Sequence, residues 1–232
     1  MFESRRRANA ERKNAQTVAV VFAFLALFLF FLGVTTSSPI FHYVALVLVV
    51  IAGLALVGGS GTWGIGAKGE ETVAQLLSLL GDAYRVIHDV VLPGMRGNID
   101  HIVLGPNGVF VIETKNHKGF ITCNGDSWMQ RKVGQLGTPY LGRIGCPSKQ
   151  VKRYAISLRN LIRDRLGMNL YVNCVIVFTN RDAVLRVDNP TVAVLKPDEL
   201  CQVIKNHRSE VILGNKELEE LEAVIRPHSQ FY

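Results

Sequence analysis

Asn98-Ile99-Asp100-His101-Ile102-Val103-Leu104, followed by Gly108-Val109-Phe110-Val111-Ile112-Glu113-Thr114-Lys115, is the stretch on which the fold turns. Two runs rich in β-branched and aromatic residues flank Pro106, Asn107 and Gly108, which is a hairpin signal. Three charges, on Asp100, Glu113 and Lys115, stand in an otherwise apolar sheet, where an unused charge is costly. Side chains alternate along a strand with period two, and directly opposed residues of an antiparallel pair share a face. With Asn107-Gly108 as the loop, Asp100 lies opposite Lys115; with Pro106-Asn107, it lies opposite Glu113. Either register brings all three charged groups onto one face.

Further strand signals run from Tyr84 to Leu92, Gly119 to Cys123, Trp128 to Lys132, Tyr171 to Phe178 and Thr191 to Leu195. Helical spacing of Val73, Leu76, Leu77 and Leu80 predicts a helix from Glu70 to Leu80 that stops at Gly81. Pro147 and Ser148 open another, running to about Leu166, with Val151, Ala155, Leu158 and Ile162 on one face. Two more helices, at about Pro197 to Asn206 and Lys216 to Arg226, close the chain. A helix and three strands, then a helix and a strand, predict one α/β domain with a mixed sheet flanked by helices.

Upstream the composition changes abruptly. The chain has 232 residues, 48% of them hydrophobic, and a net charge of +7, yet from Thr17 to Gly66 it contains no Asp, Glu, Lys or Arg. Thr17 to Val34 and Ile40 to Val57 are near-continuous apolar runs separated by Thr35, Thr36, Ser37, Ser38 and Pro39, each close to the length of about 20 residues that crosses a bilayer. A cleaved signal peptide has a shorter apolar core. A buried soluble hairpin would need more protein than remains to enclose it. The expected organisation is a basic N-terminus at 1–16, two transmembrane helices within 17–57, a Gly-rich linker at 58–66 and a domain over 67–232. Arg5, Arg6, Arg7, Arg12 and Lys13 outnumber Glu3 and Glu11 before the first run, and the turn has no cation, so both termini are expected on the cytoplasmic side of a membrane. Cys123, Cys146, Cys174 and Cys201 lie far apart without a C-x-x-C spacing, as reduced cytosolic thiols would.

Two nearby carboxylates repel unless a cation sits between them, and hard oxygen ligands with open positions suit Mg²⁺ or Mn²⁺. Such an ion binds a phosphodiester oxygen and lowers the pKa of a bound water. Lys115 on the same face then serves to orient that water or to stabilise negative charge in the transition state; adjacent carboxylates hold an ammonium in its charged form, which disfavours a general-base role. The same residues also read as a strand-end ion pair. His101 alternates to the opposite face. Gln150 alone reads as a solvated helix residue, and Glu70 as a first-turn acid favourable to the helix dipole. Lys152, Arg159 and Arg163 form a cationic stripe on the helix bearing Gln150, with Arg153 beside it, as a nucleic-acid-binding surface would.

As a set, Gly66-Ala67-Lys68-Gly69-Glu70, Gly97 to Val103, Gly108 to Asn116, Gly119, Trp128 and Pro147-Ser148-Lys149-Gln150 resemble the nuclease-related domain, a family regarded as a branch of the PD-(D/E)xK, restriction-endonuclease-like superfamily. The likeness covers about 67–166. It implies a restriction-endonuclease-like αβββαβ core, metal binding by Asp100 and Glu113, a catalytic role for Lys115, and completion of the pocket by Gln150 and Glu70. One departure is Cys146, where the family's Pro-x-x-Gln motif is often preceded by Asn. The expected function is a membrane-anchored, Mg²⁺- or Mn²⁺-dependent nuclease cleaving phosphodiester bonds, in DNA, at the cytoplasmic face; the alternative is a catalytically silent module tethering nucleic acid or a protein to the membrane.

Overall fold

The computed structural model describes residues 2–58, 63–134 and 137–230, with side chains over 17–54, 66, 68–134 and 137–230. It divides near Lys68 into two compact units. The N-terminal unit is a helical hairpin of α1 (Phe2–Thr36) and α2 (Pro39–Gly58). No Pro or Gly interrupts residues 2–32, so the basic segment and the first apolar run form one continuous helix. At the turn the Thr35 and Thr36 hydroxyls donate to the Leu32 carbonyl at 3.0 and 2.7 Å, satisfying a helix-end acceptor.

Burial in this hairpin is inverted relative to a water-soluble one. Ala19, Ala26 and Gly33 on α1, with Ala45 and Ala52 on α2, are the buried positions and repeat every seven residues, while Phe24, Leu27, Phe28, Phe31, Leu46 and Leu54 point outward. Close packing through small residues with large apolar ones outside is how helices associate in lipid. Thr17–Thr36 forms a 20-residue segment of mean hydropathy 2.8, long and apolar enough to cross a membrane. Among the described side chains α2 carries a shorter apolar stretch, Pro39–Leu54, so Thr17–Thr36 is the one segment there that meets the length and hydropathy of a span, and the expected second span over 40–57 is not established. α3 (Trp63–Leu77) begins within the segment read as a linker, of which residues 59–62 lie outside the described residues. Two glycines in a first helical turn cost about 1 kcal/mol each relative to Ala, which the packed turns that follow can offset.

The second unit is built on a five-stranded sheet of order β1-β2-β3-β7-β9, comprising β1 (Arg85–Val90), β2 (Ile99–Gly105), β3 (Gly108–Lys115), β7 (Val172–Phe178) and β9 (Ala193–Leu195). β1, β2 and β3 are antiparallel neighbours; β7 and β9 add in parallel. The αβββαβ order is therefore present, with α4 (Pro147–Leu166) crossing to β7. On one face, Val151, Ala155, Leu158 and Ile162 of α4 pack against Ile102, Leu104, Val109 and Val111, joined by α6 (Asn215–Ile225). On the other, Val73, Leu77 and Leu80 pack with Val103, Phe110 and Ile112 and with Leu200 and Ile204 of α5 (Leu200–Lys205). Leu158 is fully buried, so Leu158→Ala is expected to destabilise the domain by about 2–5 kcal/mol in denaturant titrations.

A second sheet, of order β6-β5-β4-β8, was not foreseen as a separate layer. β4 (Gly119–Asn124) and β5 (Ser127–Val133) match the expected pair. β6 (Pro139–Gly142) is a short edge strand inside the glycine-rich stretch from Gly134 to Gly145, and β8 (Ala183–Asp188) alternates apolar with charged residues; neither has the composition of a buried strand.

The hairpin register is settled at the turn. Gly105 pairs with Gly108, making Pro106-Asn107 the two-residue loop. Gly108 takes φ +130°, a conformation that strains any L side chain, and a Cβ on Gly105 would strike the Tyr84 ring. Asn107 donates from Nδ2 to the Ile204 carbonyl at 2.6 Å, tying the turn to the end of α5.

His101 lies in the core, as its alternation predicts, and pairs across the strands with His88, the two Nδ1 atoms 2.7 Å apart. One nitrogen must donate and the other accept, so the pair resists protonation. Burial lowers both pKa values, that of His88 to about 4. The unfolded chain takes up these protons near pH 6.5, so stability is complete above that pH and falls as pH drops from about 6.5 toward 4. The wild-type chain is expected to lose at least about 2 kcal/mol more between pH 7 and pH 4.5 than a variant with both histidines replaced by Gln. Equal slopes in urea titrations would overturn this account.

Candidate active site

With Gly105 opposite Gly108, the register carried along β2 and β3 sets Asp100 opposite Glu113. This is the second of the two pairings open to the hairpin. The Thr114 backbone N–H donates to Asp100 Oδ2 at 2.7 Å. Lys115 Nζ lies 2.5 Å from Glu113 Oε1 and donates at 3.1 Å to Gln150 Oε1, which reaches in from α4. Gln150 in turn donates from Nε2 to the Tyr154 hydroxyl at 3.1 Å.

The first turn of α4 is held in place by side chains of the second sheet. Pro147 starts the helix, and the Cys146 thiol donates to the Asp126 carbonyl at 3.1 Å, giving the loop its own tie where Asn is usual. Trp128 donates from Nε1 to Ser148 Oγ at 3.0 Å and stacks on Phe178, with ring centroids 5.7 Å apart. Glu70 enters from α3, whose close approach depends on Gly69: a Cβ there would come within 2.7 Å of Thr179 Oγ1 and 3.1 Å of Asn116 Cβ.

All five expected pocket residues, Glu70, Asp100, Glu113, Lys115 and Gln150, therefore converge. Their electrostatics are those of an acidic cluster short of positive charge. Burial pushes the Asp100 carboxyl well above the usual range, with Glu113 and Glu70 pushing the same way and the Thr114 N–H and Lys115 opposing. Glu113, 3% exposed, is also raised by burial, against the pull of Lys115 and Gln150. Glu70 is raised by burial, then by Asp89 and Glu113.

Glu113 Oε2 is buried without a hydrogen-bond partner. An acceptor left this way costs about 1–3 kcal/mol, and together with Asp100 it offers hard oxygen donors suited to a divalent cation. Among the described residues no group of three or more His, Cys, Asp or Glu side chains has metal-holding geometry.

Sequence reasoning passed over two residues of this neighbourhood. Asp89, at φ +52°, is bracketed by the pairs His88 with His101 and Val90 with Ile99, which sets it across from Asp100; its carboxylate accepts from Asn98 Nδ2 at 2.5 Å. Tyr154 reads in the sequence as one more position on an amphipathic helix. The only available signal was its spacing of four from Gln150.

The cationic stripe divides. Lys152 is drawn into a brace, 3.1 Å from both carboxylate oxygens of Asp126 and 2.7 Å from Thr191 Oγ1, which ties α4 to the β4–β5 turn. Arg163 lies 3.2 Å from Asp164 in an exposed pair. Arg153 and Arg159 are exposed and make no ion pair among the described residues.

A stretch of 60 residues is 45% identical to an uncharacterized protein of Bacillus anthracis, covering 24% of this chain and 28% of that protein's length. A crystal structure of a protein from Vibrio cholerae aligns over 97% of this chain and 58% of its own, at 13% identity and a TM-score of 0.30, too loose a likeness to specify a shared fold. Residues 65–179 match the nuclease-related domain family, extending the expected segment by two residues at its start and through β7 at its end. That segment contains Glu70, Asp100, Glu113, Lys115 and Gln150 and is a nuclease-related domain.

Proposed function

We propose that this chain is a metal-dependent nuclease that hydrolyses phosphodiester bonds of DNA and is anchored by its N-terminal hairpin at the cytoplasmic face of a membrane. The observation that carries the reading is the Asp100–Glu113 pair, desolvated, raised in pKa and holding a partnerless Oε2 beside the Lys115 ammonium. Asp100 and Glu113 would hold Mg²⁺ or Mn²⁺, which supplies charge neutralisation and a bound water of lowered pKa. Lys115, whose Nζ lies 2.5 Å from Glu113 Oε1, is placed to stabilise charge developing on the phosphate. Gln150 limits the ammonium's freedom by accepting one of its three protons. Glu70 adds negative charge that favours cation binding. Arg153 and Arg159 supply backbone contacts to nucleic acid. The positive-inside bias of the first 16 residues supports two spans with both termini cytoplasmic; a reporter fused after Tyr232 that worked only outside the membrane would overturn that topology.

A second reading, a silent binding module, draws on the closed Lys115–Glu113 pair, which occupies one of the metal-facing oxygens. Cleavage of plasmid and linear DNA by the full chain in detergent separates the two. Activity with Mg²⁺ or Mn²⁺, abolished by chelation and restored by metal, is expected. Binding that is indifferent to metal and to Glu113→Gln, with no cleavage, would favour the silent module.

A further inference from the structure

Lys115 Nζ carries donors and no acceptor, so its contact with Gln150 sets that amide with Oε1 toward Lys115 and Nε2 toward Tyr154. The Tyr154 hydroxyl is therefore an acceptor in this chain of contacts and keeps its own proton. That proton has no acceptor among the described residues, since the hydroxyl makes no other hydrogen bond and Glu113 Oε2 is without a partner. Tyr154 is 6% exposed, so bulk water is not a ready substitute. A buried donor left open is costly unless a ligand completes it.

A glycine approaches the hydroxyl closely. Gly97, exposed in the β1–β2 loop and three residues before Asp100, takes φ +93°, and a Cβ on it would sit 3.0 Å from the Tyr154 oxygen. Any larger residue would close that notch. It lies next to the carboxylates: Glu113 and then Asp100 both raise the Tyr154 pKa, after the larger effect of burial. An anionic ligand beside Asp100 and Glu113 needs a cation there, and a phosphodiester has a second non-bridging oxygen free for a neutral donor such as this hydroxyl.

We propose that the Tyr154 hydroxyl donates a hydrogen bond to a non-bridging oxygen of the bound phosphodiester through the notch beside Gly97, with Gln150 coupling it to Lys115. This rests on the nuclease reading for the identity of the ligand. It adds a substrate contact to residues otherwise assigned to metal and charge.

The test uses the full chain in detergent and a DNA duplex with or without sulfur replacing a non-bridging oxygen at one phosphate, bound in Ca²⁺ to separate affinity from cleavage. Sulfur is a weak acceptor, so a phosphate that meets the hydroxyl should report its loss. Tyr154→Phe is expected to weaken binding of the all-oxygen duplex about 10-fold or more and to be insensitive to sulfur at the phosphate where the wild type is sensitive. A merely structural tyrosine would lower affinity without erasing that sulfur effect, and an unchanged sulfur effect in Tyr154→Phe overturns the proposal. Should Tyr154→Phe fail to fold by its melting curve, the full chain made with 3-fluorotyrosine, whose hydroxyl is a stronger donor, is expected to show a larger sulfur effect than the unlabelled chain, and an unchanged one overturns the proposal. Binding with a tyrosine-dependent sulfur effect but no cleavage in Mg²⁺ would sink the hydrolytic reading and leave this contact standing. Cleavage with identical sulfur effects in both proteins would do the reverse.

Discussion

Asp100→Asn is expected to reduce metal-dependent cleavage at least about 10²-fold while making the domain more stable. The two effects have one cause. In the fold the Asp100 carboxylate is desolvated and faces Glu113 and Glu70, which raises its pKa. A carboxyl raised in the folded state costs stability at every pH above its unfolded value, and that cost is relieved only as pH falls and the proton is taken up. Asn removes the charge, and its Oδ1 still accepts the Thr114 N–H that Asp100 Oδ2 now accepts at 2.7 Å. A gain of roughly 0.5–2 kcal/mol at pH 7.5 without metal is expected, the range common where an active-site group is strained for function. Saturating Mg²⁺ should narrow or reverse the difference, because a cation bound between Asp100 and Glu113 stabilises the wild type alone. A variant that stays active, or is less stable than wild type in chelator, would contradict the assignment.

Lys115→Ala is expected to fail in both respects. Glu113 is 3% exposed and its Oε1 has the ammonium at 2.5 Å as its close cation. Removing one partner of a buried pair leaves the other charge stranded, at a cost of up to about 3–5 kcal/mol. Cleavage should fall at least about 10²-fold, because charge developing at the phosphate loses its fixed cation. The stability loss has a diagnostic reversal: adding Glu113→Gln to Lys115→Ala removes the stranded charge and should recover most of the melting temperature with no recovery of activity. A double variant no more stable than Lys115→Ala would show that the pair is not what Lys115 contributes to the fold.

Much of this site was legible before any coordinates, for reasons visible in individual residues. Asp100, Glu113 and Lys115 share a face because strand side chains alternate, whichever turn closes the hairpin. Val151, Ala155, Leu158 and Ile162 show the buried side of α4 because a helix repeats every 3.6 residues. β6 and β8 escaped because a short Pro- and Gly-bearing edge strand and a half-charged strand gain their stability from neighbours rather than from their own composition. Lys152 looked like a nucleic-acid contact on helical spacing alone; Asp126, 26 residues earlier in the chain, captures it.

Periodic local order and the charge-free block from Thr17 to Gly66 were thus determined by the sequence itself, since both depend on residues within a few positions of one another. Tertiary structure alone decided that Asp100 meets Glu113 rather than Lys115, through a two-residue turn whose Gly108 adopts φ +130°. It decided that Glu70 joins them, through the missing side chain of Gly69, and that Tyr154 stands under Gly97 with its proton unspent. These are meetings of distant backbone, fixed by how closely two elements can approach, and no local spacing carries that distance.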